Sequence, residues 1–480
     1  MSLPFRIAAP FGKTVPDALV TDHNAGSLPY WQCEASIWPL VTFRVLFGLV
    51  AAFGAARFLY EGWVDRLILS TPLHFDFYGF AWLPRPDVPA AYALYGVVLL
   101  SALCVSLGYR FRLAAPLFVV SFAYTELLDA THYLNHYYLV VLLGGLLAVT
   151  PAHAAVSLDV RGGRVIRRER VPAWCLHAIQ LQLAFVYFFA GVAKVNADWL
   201  LRAMPMAIWL PEHADWPFVG GLLTKSWVAY AASWAGCLYD LTIVGFLLHP
   251  RTRRYAYGVV LCFHGATWAL FNIGLFPLIM STATLVFFPG VAHERFWRKL
   301  KGLLWTRWTG RTASNGIDQQ RGSSVSGLRA DYFAGARFLL LPYFLLQLAL
   351  PLRALAYPGP TAWTEEGYRF GWRVMLVEKA GTATFTVRDE RTGRQVEVKN
   401  RDHLSDYQIK QMAIQPDFIL QFAHHLADYY AERGFASPEV YCESHVALNG
   451  RRSRPLIDPS VNLAAEVDGL SPKAWILAPQ

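Results

Sequence analysis

Long apolar stretches separated by short polar loops fill the first 352 residues of this chain. A membrane-spanning helix needs about 20 mostly apolar residues. Stretches that meet or approach this run at 37–60, 89–108, 113–128, 136–152, 173–194, 227–248, 255–271, 274–289 and 336–352. The pattern predicts roughly nine spans. From residue 353 the pattern changes. Residues 382–399 alternate in polarity around the turn Asp389-Glu390-Arg391-Thr392-Gly393, which predicts two short strands. Pro416 opens a helix with Phe418, Ile419, Phe422, Leu426 and Tyr429/Tyr430 on one face, closed by Gly434. Residues 440–448 read as another strand, ending in the turn pair Asn449-Gly450. The expected fold class is mostly α: a polytopic membrane helical bundle followed by a small α+β extramembrane domain. The expected division is an N-terminal cytoplasmic segment at 1–35, a membrane domain at 36–352 and an outer-side domain at 353–480. A polar, Gly/Ser-rich cytoplasmic linker lies at about 298–335 within the membrane domain.

Loop charge gives an independent orientation. Residues 109–112 carry two arginines, 161–170 carry five, 249–254 carry three, and 295–337 are rich in Lys and Arg. The alternate loops are poor in positive charge, and 129–135 has none. Positive loops stay in the cytoplasm, so the N-terminus is expected inside and the C-terminal domain outside. The net charge of +9 (43 Lys+Arg, 34 Asp+Glu) is therefore read as orientation, not nucleic-acid binding. Composition agrees. Apolar residues make up 55% and charged residues 16%, against roughly 25% charged in soluble chains, and mean hydropathy is +0.30. This excludes an ordinary soluble enzyme and a disordered chain. No two of the six cysteines share a zinc-type spacing, so neither a metal site nor a disulfide framework is expected.

Ionisable groups inside spanning helices cost about 2.5–3.5 kcal/mol on insertion scales, so each needs a partner or a task. Candidates are Arg44, Arg57, Glu126, His177, Asp240 and His264. Arg57 lies near a helix end and can snorkel. Arg44 and Asp240 lie deeper, and a structural ion pair between their helices is expected. His264 is either a hydrogen-bonded core histidine or a site residue. Lys194, at the outer end of the fifth span, has two readings. It is an interfacial anchor pairing with Asp198 at i+4, or a desolvated amine. Burial lowers an amine's pKa from about 10.4, making a general base usable near neutrality. His132 and His136 stand at i,i+4, but one such pair is too few for a membrane di-iron site, and a metal is not expected. Walker loops, GxGxxG after a strand, HExxH and nucleophile elbows are absent from the sequence. Lysine, histidine and asparagine converging on an outward pocket suit a lipid-soluble ligand meeting a water-borne one.

The runs FRVLFG (43–48), LLDATHYLNHYYL (127–139), VYFFAGVAKVNADW (186–199), CLYDLTIVGFLL (237–248) and FHGATWALFNIGLF (263–276) are similar to the vitamin K-dependent gamma-glutamyl carboxylase family. The stretch Trp363-Thr364…Gly367-Tyr368…Trp372, Ile457-Asp458-Pro459 and Trp475 extend the resemblance to the end of the chain. The membrane part of that family is known as the HTTM domain. The resemblance implies oxidation of vitamin K hydroquinone by dioxygen to the 2,3-epoxide. This is coupled to removal of a γ-proton from glutamate and addition of carbon dioxide, without a metal. The lysine deprotonates only the hydroquinone, and oxygenation then generates an alkoxide strong enough for the carbon acid. Lys194 matches the catalytic base, and Ala193 stands where animal members have a preceding lysine. Asn135 and His136 match residues lining the hydroquinone and carbanion site. His264 matches a pocket histidine, Asp198, in the same run as the base, is expected in the substrate and quinol pocket with it, and Trp363, Tyr368 and Trp372 of that pocket lie where a client's glutamate enters. The implied partners are a glutamate-containing peptide or protein and membrane lipid. The cysteines joining the two parts of the animal enzyme have no counterpart; position 424 is His424. With the sequence also ending without a long additional luminal tail, client recognition through a propeptide is not expected. Alternatives are a quinol epoxidase without protein carboxylation and a non-catalytic lipid-binding scaffold. A transporter would show internal repeats, which the sequence lacks.

Overall fold

The computed structural model describes residues 33–271, 273–305 and 326–479. The expected N-terminal segment up to residue 32, and residues 306–325 of the expected linker, lie outside the described residues. The helices that build the membrane part are α1 (Trp38–Tyr60), α2 (Val88–Leu107), α3 (Phe111–Leu127), α4 (Asn135–Ala148), α5 (Trp174–Ala193), α6 (Ala197–Leu201), α7 (Ser226–Leu248), α8 (Arg253–Leu270), α9 (Phe276–Ala283), α10 (Gly290–Trp305) and α11 (Ser326–Leu352). Local chemistry sets several ends. Asp87 caps α2 by accepting from Ala90 N at 3.0 Å. Gly108 ends the same helix at φ 61°, a left-handed conformation that glycine adopts without a Cβ penalty. A small antiparallel pair, β1 (Glu34–Ser36) with β2 (Arg170–Pro172), ties the entry of α1 to the entry of α5.

Among the described residues, five helices are long and apolar enough to cross a membrane: Trp38–Tyr60, Val88–Leu107, Trp174–Ala193, Ser226–Leu248 and Phe338–Ala356. A sixth is reached if Phe276–Phe287 and Gly290–Leu300, bent by 113°, count as one broken span. The expected count of about nine is not reached among the described residues, for a geometric reason. At 1.5 Å per residue, the 17 residues of α3 cover about 26 Å and the 14 of α4 about 21 Å, short of a hydrocarbon core of about 30 Å. Two of the apolar runs read as spans thus form helices shorter than a full span.

Close approach of α1 and α2 depends on one glycine. A Cβ on Gly48 would lie 2.6 Å from Ser106 N and 2.8 Å from Ala102 O, both backbone atoms. Gly48→Ala should therefore destabilise the bundle by about 1–3 kcal/mol, seen as a lower midpoint of thermal unfolding in detergent. Gly245→Ala, where a new Cβ meets nothing within 4 Å, should leave the midpoint unchanged or raise it; equal losses at the two sites would remove the packing argument.

The C-terminal part is a four-stranded antiparallel sheet in the order β4-β3-β5-β6, built from β3 (Lys379–Asp389), β4 (Gln395–Glu397), β5 (Pro438–Leu448) and β6 (Arg454–Pro455). β3 and β5 pair along their whole length, from Lys379 opposite Leu448 to Asp389 opposite Pro438. Two helices, α12 (Asp406–Met412) and α13 (Pro416–Ala431), follow the β3–β4 hairpin. The apolar face of α13 read from the sequence is the buried one: Phe418, Ile419, Phe422 and Leu426 are fully buried with Phe385, Val387 and Val440 of the sheet. Burying a side chain of this size contributes about 1.5–3 kcal/mol.

Candidate functional site

Lys194 is the C-terminal cap of α5. The chain turns out of the helix there because Asn196 caps α6, its Oδ1 accepting from Trp199 N at 2.9 Å. Lys194 does not reach toward headgroups. It folds inward, is only 5% exposed, and uses all of its donors. Nζ donates to Asp240 Oδ2 at 2.8 Å, to Ala190 O at 3.3 Å and to Val374 O at 3.4 Å. The Trp199 ring lies 5.3 Å from the ammonium, within cation–π range. Asp240 arrives from α7 because α5 and α7 cross closely: a Cβ on Gly191 would lie 2.7 Å from Leu241 Cδ2 and 3.0 Å from Leu241 N. Gly191 is about one turn before Lys194, and Leu241 adjoins Asp240, so the crossing places amine against carboxylate.

Two expected pairings are corrected by this geometry. Arg44 does not meet Asp240. It is fully buried and donates to Ala152 O at 3.3 Å and Val156 O at 2.5 Å, in the turn after α4. α5 begins after that loop and ends at Lys194, about 30 Å away along its 20 residues; Arg44 and Asp240 sit toward opposite ends of the bundle. Asp198 does not pair with Lys194 and lines neither cavity described below. Its carboxylate takes both guanidinium nitrogens of Arg451, the Asn449 amide at 2.9 Å and Arg202 at 3.3 Å. Burial would raise the Asp198 pKa, but the Arg451 and Asn449 hydrogen bonds outweigh it and hold the carboxyl below its ordinary range. With a depressed folded pKa, this contact is fully formed above the ordinary Asp value of about 3.9 and is lost only as pH falls through the lower folded value.

Asn135 begins α4. Its Nδ2 donates to Arg373 O at 3.2 Å, and its Oδ1 accepts from Tyr133 OH at 3.1 Å. Arg373 and Val374 are neighbours, so Asn135 and Lys194 grip successive carbonyls of one strap, residues 370–377. The strap is strained. Phe370, Trp372 and Met375 have φ of 61°, 56° and 53°, a left-handed conformation costly for residues with a Cβ and often found at functional sites. It is held by Tyr133 OH, which accepts from Phe370 N at 2.7 Å, and by Trp372 stacked on Tyr138 at 5.0 Å.

Two cavities adjoin beneath the strap. The larger, about 490 Å³, is lined by Asn135 and His136 with Arg57, Trp63, Glu126 and many apolar side chains. The smaller, about 220 Å³, is lined by Lys194, Asp240, His264 and Trp199 in an almost wholly apolar wall. Ile273, Phe276, Val374 and Met375 line both. The Phe276 ring lies 5.8 Å from the His136 ring and 5.8 Å from the His264 ring, between the two compartments. His264 Nε2 is 3.2 Å from Tyr187 OH, and its buried Nδ1 has no partner among the described residues.

The site residues expected from sequence thus divide. Lys194, His264, Asn135 and His136 line one cavity or the other. Trp363, Tyr368 and Trp372 line neither. Trp363 is buried in the core of the C-terminal part and donates to Leu477 O at 2.7 Å, while Trp372 packs beside Tyr138. The sequence reading missed Asp240 as the lysine's partner, and missed Phe276, Val374 and Met375 as cavity walls. The small residues Ala190-Gly191 on α5 and Gly236-Cys237 on α7 were a usable signal, since small residues mark close helix crossings in membranes, and Cys237 does meet Gly191. Among the described residues no group of three or more His, Cys, Asp or Glu could hold a metal ion.

Comparison with known families matches the HTTM domain over residues 34–290 and the vitamin K-dependent gamma-carboxylase lumenal domain over residues 334–480. The chain belongs to the vitamin K-dependent gamma-carboxylase family. The two matched regions meet at the site. Asn135, His136, Lys194, Asp240 and His264 come from the HTTM region of this carboxylase-like protein, and the strap comes from its lumenal region. It is a multi-pass membrane protein whose C-terminal part is of the lumenal type. No solved structure matches the chain.

Proposed function

We propose that this protein oxidises vitamin K hydroquinone with dioxygen to the 2,3-epoxide and couples the oxidation to γ-carboxylation of a glutamate in a peptide or protein client. The observation that carries the reading is the buried Lys194–Asp240 pair facing an apolar cavity, with Asn135 reaching the adjacent carbonyl of the same strap. The residues fit the group. Apolar walls and aromatic rings accept a fused-ring quinol, and apolar space admits dioxygen and carbon dioxide. When bound and oxidised, the hydroquinone supplies the strong base that no side chain can be.

In this reading the protein's own groups have limited tasks. Lys194 reacts as the free amine and takes the hydroxyl proton; the ammonium so formed makes the three contacts described above, with Asp240 at 2.8 Å balancing its charge. The charge therefore does not stand alone in an apolar site, where it would be costly. Asn135 and His136 present polar atoms at the edge of the larger cavity, where a glutamate and carbon dioxide would meet. The wall excludes water, which would otherwise protonate both the base and the carbanion. Lipid gives access to the quinol, with the N-terminus cytoplasmic and the C-terminal domain outside, where the client approaches. The domain division at residues 36–352 and 353–480 is part of the same proposal.

The test is direct. Purified protein in lipid-supplemented detergent receives vitamin K hydroquinone, oxygen, labelled bicarbonate and a glutamyl peptide. Epoxide and label incorporation into the peptide should both appear. Neither product from a folded preparation would end the proposal; epoxide without label would leave the oxidative half alone.

A further inference from the structure

The lysine loop and the strap are about 180 residues apart in sequence, and beyond the Lys194–Val374 contact one asparagine bonds to the ends of both. Asn449 Nδ2 donates to Asp198 Oδ2 at 2.9 Å, four residues after Lys194. Its Oδ1 accepts from Glu378 N at 2.9 Å, and its backbone N donates to Glu378 O at 2.8 Å, four residues after Val374. Asn449 is 2% exposed and has φ 50°, in a turn with Gly450 at φ 70°. Asparagine tolerates that left-handed position, and few other side chains would. Arg451 completes the contact by placing both terminal guanidinium nitrogens on the Asp198 carboxylate. Such bidentate pairs fix direction as well as distance.

From Asp198 the contact passes to Trp199. Its indole donates to Ser233 O on α7 at 2.6 Å, and its ring faces the Lys194 ammonium at 5.3 Å. From Glu378 it passes along the strap to Val374 O, which accepts from the same ammonium at 3.4 Å. Two routes thus run from one turn of the lumenal region to one nitrogen atom. We infer that Asn449 and Arg451 are positioning residues for the Lys194 amine, acting through Asp198–Trp199 on one side and Glu378–Val374 on the other. The inference rests on the reading of Lys194 as the base. It assigns the β5–β6 turn a task in the reaction beyond joining two strands: it sets the gap between the lysine loop and the strap, and with it the place of the amine in the smaller cavity.

The test exchanges donor and acceptor. Asp198→Asn brings two amides face to face and weakens the Arg451 contact. Asn449→Asp added to it restores an acceptor opposite the new amide, keeps the acceptor for Glu378 N, and restores the net charge of the contact. Displacement of a reacting group by about 1 Å can cost up to about a hundredfold. Asp198→Asn is therefore expected to slow epoxide formation about tenfold or more, with the hydroquinone KM changed less than about twofold. The double variant should recover to within about threefold of the unaltered protein. Arg451→Gln, which leaves the turn intact, should show the same split between kcat and KM. Amide hydrogen exchange at residues 194–203 is read in parallel and should quicken in Asp198→Asn and slow again in the double variant. A double variant no faster than the single one, or a KM that rises as kcat falls, would overturn the positioning role. If the unaltered protein makes no epoxide, the functional reading fails separately; unchanged exchange at 194–203 would then also overturn the contact as a positioning device.

Discussion

Lys194→Ala is expected to cut epoxide formation by about 10²–10⁴-fold, the usual contribution of a positioned proton acceptor. The expectation follows from where the amine sits. It is 5% exposed, it lines an apolar cavity, and Asp240 lies 2.8 Å away to balance the ammonium that proton transfer forms. A lysine serving only as an interfacial anchor would show its ammonium to water and headgroups, and its removal would leave turnover alone. Loss of the amine also leaves Asp240 without its cation, so part of any loss could come from the fold. The experiment therefore pairs Lys194→Ala with Asp240→Asn, which removes both charges together. Small primary alkylamines are then added to the assay. Recovery of epoxide with an amine small enough for the vacated space, but not with a bulkier one, identifies a missing proton acceptor. Turnover unchanged in the paired variant would remove Lys194 from the chemistry and leave a membrane protein with a buried ion pair.

How much of this was legible beforehand depended on the range of the interaction. The C-terminal elements are set locally. The alternation at 382–399, Pro416 at the first turn of α13, and Asn449-Gly450 at a left-handed turn each write their element into a few neighbouring residues, and the structure places them at β3–β4, α13 and the end of β5. Lys194 and Asn135 stood out for the same reason: a polar group beside a long apolar run is visible without knowing the fold. Hydropathy could not tell how much of an apolar run is helix. α4 is as apolar as a span but only 14 residues long, and the loss of helix length shows only once its ends are known. Partner choice was the least legible. Arg44 and Asp240 are a plausible pair by charge alone, yet depth in the bundle separates them, and depth is set by which helices cross and where. Gly191 against Leu241 decides that Asp240 meets Lys194. The strap was hidden for another reason. Val374 and Met375 contribute a carbonyl and a wall, and neither is a chemistry that a side-chain alphabet records.

The Lys194–Asp240 pair gives the largest expected change in stability. Asp240→Asn leaves an ammonium in a site with almost no polar wall, and breaking a buried pair from one side costs about 3–5 kcal/mol. The midpoint of thermal unfolding in detergent should fall accordingly. Replacing both partners by apolar residues of similar size, Lys194→Met with Asp240→Leu, should recover most of that loss, because no unpaired charge remains. The double variant should stay inactive, so stability and turnover separate. Arg44→Met provides the contrast. Its guanidinium serves the carbonyls of Ala152 and Val156, so its loss leaves acceptors without a donor and should add to Asp240→Asn without coupling, since the two sites share no partner. A strong coupling energy between Arg44→Met and Asp240→Asn would restore the pairing that charge alone suggests. A double apolar variant at 194 and 240 as unstable as Asp240→Asn would mean that the pair is held by its hydrogen bonds to Ala190 and Val374 rather than by charge. In that case the cavity wall could not be the reason this lysine needs its aspartate.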